Sequence, residues 1–413
     1  MQDTELFHHL LGLAKPWSVS RVDLNVAGQQ VDIWIEHERG TRWSCPTCGR
    51  ELGLYDHAAE RVWRHLDSCQ FATQLHAAPP RVACPEHGVH QVKLPWADER
   101  SRFTLMFERF AIDVLLETDL SGAMRILRIG WDAAFHIMER AVARGQLAKK
   151  RAAPTLIGVD ETSVAKGQRY ITVVCDLSEG TVEHLSEHRR AESLGSYYET
   201  LSDDELTAIK AVSMDMHAPF IKATKDHVPA WHRKIVFDRF HVMQQLTKAV
   251  DLVRKAEHRA LLANNDRSLV GSKYVWLYSE ENLPAHYSER FEELRALDLK
   301  TSRAWAIKES LRRLWQFQRL GVAKKYWKRW LDWALRSQLT PIIRAAQTLQ
   351  RHIGGIFGFF ENRVTNALAE GINGKIQRIK RAAHGYRNLN NFMTAIYFHC
   401  GGLELYPGTH TKP

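Results

Sequence analysis

Near the start of the chain, hydrophobic and polar positions alternate. Val22, Leu24 and Val26 interleave with Arg21, Asp23 and Asn25, and Val31, Ile33 and Ile35 then share one face. Alternation with a period of two marks a half-buried strand, and Ala27-Gly28-Gln29 supplies a turn between the runs. The pattern therefore predicts a hairpin inside a small β-rich module over residues 1–100. From 101 to 150 the period lengthens to that of a helix. Phe103, Phe107, Phe110, Ile112 and Val114-Leu115-Leu116 make one stripe ending near Thr118, and a second helix opens at Leu120. After Ile129-Gly130-Trp131, Asp132 is placed to cap a third helix running to about Arg144. Short helix, glycine turn and capped helix outline a helix-turn-helix, with His136, Arg140 and Arg144 on the outer face of the third helix. A plain helical linker bundle is the other reading of this stretch.

Residues 151–240 mix both periods. Strands are predicted at 155–160, ending in Asp160, at 170–176, 181–185 and 209–215, ending in Asp215, and at 234–237. Helices fall at 192–201 and from Ala218. Three antiparallel strands, then helix, strand, helix and strand, is a ribonuclease-H-like order. Residues 241–350 read as helical and carry Trp276, Trp305, Trp315, Trp327, Trp330 and Trp333. Those rings either pack inward on an amphipathic helix or stack on DNA. In 351–413, no acid occurs between Glu370 and Glu404, while Lys375, Arg378 and Arg381 recur every three residues, which makes one helical face cationic. The expected fold is multidomain α/β.

Composition narrows the function classes. The 413 residues are 45% hydrophobic and 25% charged, which excludes a mostly disordered chain and implies several domains. No run approaches the ~18 apolar residues of a membrane span. The acidic start, Gln2-Asp3-Thr4-Glu5, is unlike the positive start of a signal peptide, so a cytoplasmic protein is expected. A net charge of +10 favours a polyanionic partner, of which nucleic acid is the commonest.

Two near-copies of one motif stand in the first module: Cys45-Pro46-Thr47-Cys48-Gly49 and Cys84-Pro85-Glu86-His87-Gly88. Each sets two soft or borderline donors three positions apart, followed by a glycine able to take positive φ where the chain folds away. Together they make a Cys₃His set for one structural Zn²⁺, with His65, Cys69 and His90 as substitutes. Acids at the ends of buried strands are costly, since two carboxylates about 4 Å apart repel by roughly 4 kcal/mol at an effective dielectric of 20. Asp160 and Asp215 would end neighbouring strands, and Glu370 begins the cationic helix. Oxygen donors of this kind suit a pair of Mg²⁺ or Mn²⁺ ions. Glu161, Asp176 and Asp226 read as turn, cap or surface acids.

The cysteine pairs, Gly158-Val159-Asp160-Glu161, Ser213-Met214-Asp215-Met216, Phe237-Asp238-Arg239-Phe240-His241 and Asn366-Ala367-Leu368-Ala369-Glu370-Gly371-Ile372-Asn373-Gly374-Lys375-Ile376 run in that order over nearly the whole chain. In these the sequence resembles the bacterial insertion-sequence transposases of the ISL-three type. The resemblance implies a DDE triad of Asp160, Asp215 and Glu370, with the tryptophan-rich region as an insertion before the final acid. Asp238 and His241 match an Asp-x-x-His signature near the active site, although His241 also reads as a core histidine. It further implies binding of the element's terminal inverted repeats and of target DNA, a homodimer or larger synaptic complex, and a bacterial, nucleoid-associated location. A non-catalytic DNA-binding protein and a structure-specific nuclease of the same fold are the rival expectations.

Overall fold

The computed structural model describes residues 2–149, 153–165, 169–364 and 367–408. They form two compact units, one of 2–149 with 397–399 and 403–408, the other of 153–396 with 400–402. The tail at 403–408, expected with the last region, thus belongs to the first unit. Among the described residues no helix is long and apolar enough to cross a membrane.

In the first unit the predicted hairpin is present. Trp17–Asn25 pairs antiparallel with Gln30–His37, which runs parallel to Ala72–Ala77, and Arg61–Arg64 closes a four-stranded sheet. Val31, Ile33 and Ile35 are buried, with Trp63 and Leu75 opposite them. Leu24 and Val26 are exposed, since Trp17–Asn25 is the edge strand of the sheet.

Two short antiparallel pairs follow from the motif copies. Trp43–Ser44 pairs with Glu51–Leu52, and Pro80–Cys84 pairs with Gly88–Gln91. Gly49 and Gly88 have φ of 74° and 79°, which lets each turn close without a Cβ clash.

Besides the short helix Asp3–Leu10, three helices between 105 and 148 belong to this unit. Leu105–Glu117 is capped by Thr104, and Leu120–Leu127 by Asp119. Arg128, in the left-handed region, ends the second helix, and Trp131–Ala148 starts from Gly130. Asp132 therefore does not cap the third helix. It lies inside the first turn, where its charge faces the positive end of the helix dipole.

The second unit is built on a five-stranded sheet in the spatial order Thr181–Glu187, Arg169–Asp176, Leu156–Ala165, Ala211–Met214, Ile235–Phe237. The first three strands are antiparallel and the last two run parallel to Leu156–Ala165. The central strand continues five residues past Asp160, so that acid stands mid-strand and not at its end. The helices Ala191–Tyr198 and Ala218–His227 pack their apolar sides into one cluster with the sheet residues Ile157, Val159, Val174 and Val212. The 25-residue helix Arg239–Ala263 leads into the helical region, where Trp276, Trp305, Trp315, Trp327 and Trp330 are buried and only Trp333 of the six is exposed. Five of these rings therefore pack inward. The chain returns to the sheet through the helix Ala367–Ala382, whose Ala369 Cβ would lie 3.3 Å from a Cβ on Gly158, a contact that sets this helix close on the central strand.

Candidate functional site

Strand register assembles the acids. Gly158 is paired with Ser213 and Met214 with Phe237, so two residues further along the central strand Asp160 stands level with Asp215, and Asp215 level with Asp238. Asp238 also caps the Arg239–Ala263 helix, accepting from the Phe240 N–H at 3.2 Å, and this brings His241 back over the acids. His241 Nδ1 donates to Asp238 Oδ2 at 2.8 Å and lies 2.5 Å from Asp215 Oδ1. Asp215, Asp238 and His241 present donor atoms all within 4.8 Å of one another. Asp215 Oδ1 is buried, and its close polar neighbour is the His241 ring.

Electrostatics mark the same spot. Burial, reinforced by the charge of Asp215, pushes the Asp160 carboxyl up to about 7, against the pull of the Glu161 N–H. Burial alone would lower His241, but hydrogen bonds and charge from Asp215 and Asp238 raise it to about 10. Glu370 is raised by desolvation and then by the charge of Asp238. Clustered carboxylates with a single cationic side chain among them are under-compensated, and a hard divalent cation fits that donor set.

The Glu370 helix is clamped to the central strand by neutral and cationic side chains. Asn373 Nδ2 donates to Asp160 Oδ2, Gln377 to Thr162 Oγ1 at 2.6 Å, and Lys380 to the Ser163 carbonyl at 2.6 Å. With Glu370 these occupy positions i, i+3, i+7 and i+10, one face of the helix. Sequence reasoning took the cationic face of Lys375, Arg378 and Arg381 and missed this stripe, whose signal was polar residues recurring at heptad-like spacing.

At the metal-binding turns, Cys45, Cys48, Cys84 and His87 also bring their donors within 4.8 Å. Cys48 Sγ and Cys84 Sγ are 3.7 Å apart, and Cys84 Sγ is 3.4 Å from His87 Nδ1. A tetrahedron with Zn–S bonds of ~2.3 Å has S···S edges of ~3.8 Å, so the cage has the size zinc needs. Backbone N–H groups of Cys48 and Thr47 lower the Cys45 thiol, and those of Glu86 and His87 lower Cys84, which favours the thiolate forms. None of the substitutes is needed. His65 is buried against Thr104 Oγ1 and lowered to about 4, Cys69 is exposed, and His90 donates to the His87 carbonyl.

Comparison with known proteins matches this division. Residues 157–396 fit the family profile of the ISL3-type DDE transposases, more than half of the chain, and residues 41–87 fit the zinc finger of the transposases of IS204, IS1001, IS1096 and IS1165. The chain belongs to the ISL3 family of transposases. It is 26% identical to the transposase for insertion sequence element IS1557 of Mycobacterium tuberculosis, over all of this chain and 99% of that protein. It is also 26% identical to the transposase for IS1001 of Bordetella parapertussis, over 85% of this chain and 87% of the relative.

In this transposase the cations expected to touch DNA divide into two groups. Lys375, Arg378 and Arg381 are exposed on the Ala367–Ala382 helix. His136 is exposed too, near Glu139 at 3.9 Å. Arg140 and Arg144 depart from the expected outer face: both turn to Glu108, which is 1% exposed, and Arg144 also reaches Asp98 at 3.7 Å and the Leu405 carbonyl. The cause is Glu108 itself, an acid inside an apolar stripe that would be untenable in the core without counter-charge. Of the lesser acids, Asp176 caps the turn at Ser178 and Glu179, Glu161 pairs with Arg189 at 3.0 Å, and Asp226 is exposed. Asn366 of the final motif lies outside the described residues.

Proposed function

We propose that this transposase cuts phosphodiesters at the terminal inverted repeats of its own insertion sequence and joins the freed 3′-hydroxyl to target DNA. In this reading Asp160, Asp215 and Glu370 are the catalytic carboxylates of a ribonuclease-H-like core interrupted by the helices of 241–350. The observation that carries it is that adjacent parallel strands bring Asp160 within reach of the charge of Asp215, while Glu370 is raised by Asp238 of the same cluster. Mg²⁺ or Mn²⁺, two per site, would be held by these three carboxylates and would supply Lewis-acid charge at the attacking and leaving oxygens.

The remaining tasks belong to the chain itself. Asn373 orients Asp160 by holding one of its oxygens, and the Gln377 and Lys380 contacts keep Glu370 at a fixed height above the strand. Asp238 and His241 position Asp215 from the other side. Lys375, Arg378 and Arg381 hold DNA phosphates, while the zinc module and a helix-turn-helix of 101–150, through His136, read the repeats. Arg140 and Arg144 serve by anchoring the third helix. Two element ends must meet, so the working form is a dimer or larger synaptic complex on the bacterial nucleoid in the cytoplasm.

The test is cleavage and strand transfer on end DNA. Asp160→Ala, Asp215→Ala and Glu370→Ala should each lose on the order of a thousandfold or more in rate, with end binding kept within a few fold. Glu161→Gln, which weakens a half-buried pair with Arg189 and removes none of the three acids, should remain active. Near-normal cleavage by Glu370→Ala, or cleavage without divalent cation, overturns the assignment.

A further inference from the structure

We propose that the outer side of the helix Leu320–Arg336, continued by Thr340–Arg351, holds target DNA by its phosphates without reading its sequence. This rests on the proposed joining of element ends to a target duplex. Between Glu309 and Glu361 the chain carries ten Lys and Arg residues and a single acid, Asp332, so nine of its ten net positive charges fall in this stretch. The fold gathers them. On Leu320–Arg336 the buried residues Ala323, Trp327, Trp330 and Ala334 recur every three or four positions and take one side of the helix. Lys324, Lys325, Lys328, Arg329 and Arg336 are left on the other side, all exposed. Arg344 and Arg351 are exposed on the helix packed beside it.

Seven cations on two neighbouring helices repel one another unless counter-charge separates them. Among the described residues only Arg336 of the seven has a carboxylate partner, Asp332 at 2.9 Å. Other arginines of the same region are paired: Arg254 holds Asp251 at 2.8 Å, and Arg312 holds Glu309 at 3.2 Å. A row of unpaired cations fits a ligand that brings many regularly spaced anions of its own. The 17-residue helix is roughly 25 Å long, the axial length of about seven base pairs.

Residue type separates target from element end. Beside its cations, the outer side of Leu320–Arg336 presents Gly321, Val322, Asp332 and Trp333, and no Asn, Gln, Ser or Thr. Lysine is a point charge on a flexible stem, suited to phosphate and not to base edges. None of the seven cations lines the cleft that contains Asp238, Phe240, Trp315 and Glu370. Such a surface accepts any duplex, and a target duplex carries no terminal repeat to be read.

The experiment uses the full-length chain with Lys324→Gln, Lys325→Gln, Lys328→Gln and Arg329→Gln combined, four residues with no acid partner to lose. Without divalent cation, affinity for a short duplex lacking the repeat should fall at least about tenfold at low salt. The slope of log K against log salt for that duplex should flatten by up to about 3.6, at about 0.9 for each contact. Affinity for end DNA should stay within about threefold of wild type, because other contacts position it. With Mg²⁺ or Mn²⁺ added, the ratio of joined to cleaved product should fall about tenfold, in step with the weaker target binding. The charge-conserving set Lys324→Arg, Lys325→Arg and Lys328→Arg should keep both the affinity and the ratio, which sets lost charge apart from lost folding. Equal weakening on end DNA, or unchanged affinity for both duplexes, overturns the proposal. An active Glu370→Ala protein would be a separate failure, of the acid assignment alone, because target binding is read without cleavage.

Discussion

At Asp160 a single carboxylate carries much of the site's electrostatic tension. Burial and Asp215 raise it from 3.8 to about 7, so the folded carboxyl binds its proton more tightly than the unfolded one. The stabilisation tied to that proton is complete below about pH 4 and is lost as pH rises through 7. At higher pH the ionised acid strains the protein by up to about 4 kcal/mol, roughly three pKa units. Asp160→Asn should therefore raise the melting temperature, in the absence of added divalent cation, clearly at about pH 8 and hardly at all at about pH 4. An equal shift at both values would mean that the site does not strain this acid. Divalent cations should produce a similar gain in the wild type by neutralising the cluster.

Among the elements, the third helix of the first unit and the Glu370 helix use their cations in opposite ways. Arg140 and Arg144 neutralise the buried Glu108. Removing that acid would leave two guanidiniums facing the interior. Glu108→Ala should cost about 3 kcal/mol or more of stability in urea unfolding, while His136→Ala on the open face should cost almost nothing. Lys375, Arg378 and Arg381 stand exposed on a helix with no acid after Glu370. Each phosphate contact contributes about −0.9 to the slope of log K against log salt, so changing all three to Gln should flatten the slope for end DNA by up to about 3. An unchanged slope would return these residues to a merely solvated surface. Both helices looked cationic in sequence. What separated them was a partner 32 and 36 residues upstream, which periodicity along one helix cannot register.

For the whole molecule, two compact units with separate apolar clusters make unfolding in two stages the expectation. The zinc cage holds together two short strand pairs in the first unit, and structural zinc in small modules contributes on the order of 10 kcal/mol to folding. A chelator should lower one calorimetric transition and leave the other in place, and Cys84→Ser should reproduce that profile while carrying well under one zinc per chain. A single transition that moves as a whole would contradict independent units.

Local signals made much of this protein legible in its sequence. Alternation gave the hairpin, because one buried face imposes a period of two, and short apolar, β-branched runs gave the five strands of the second sheet, which are largely buried on both faces. The repeated Cys-Pro motifs gave all four cage donors, because a tetrahedral ion needs two turns of fixed span, and the structure closes both turns with positive-φ glycines. The motif order gave the transposase family. Tertiary structure decided what depends on residues far apart in the chain. Parallel register, with no local signature, set Asp160, Asp215 and Asp238 in one row. Helix packing brought Asn373 to Asp160 across 213 residues and placed Phe240 and Trp315 on the lining of one cleft. The burial of Glu108 turned two arginines from the expected outer face toward the interior, since a charge in the core must find its counter-ion wherever the fold supplies one.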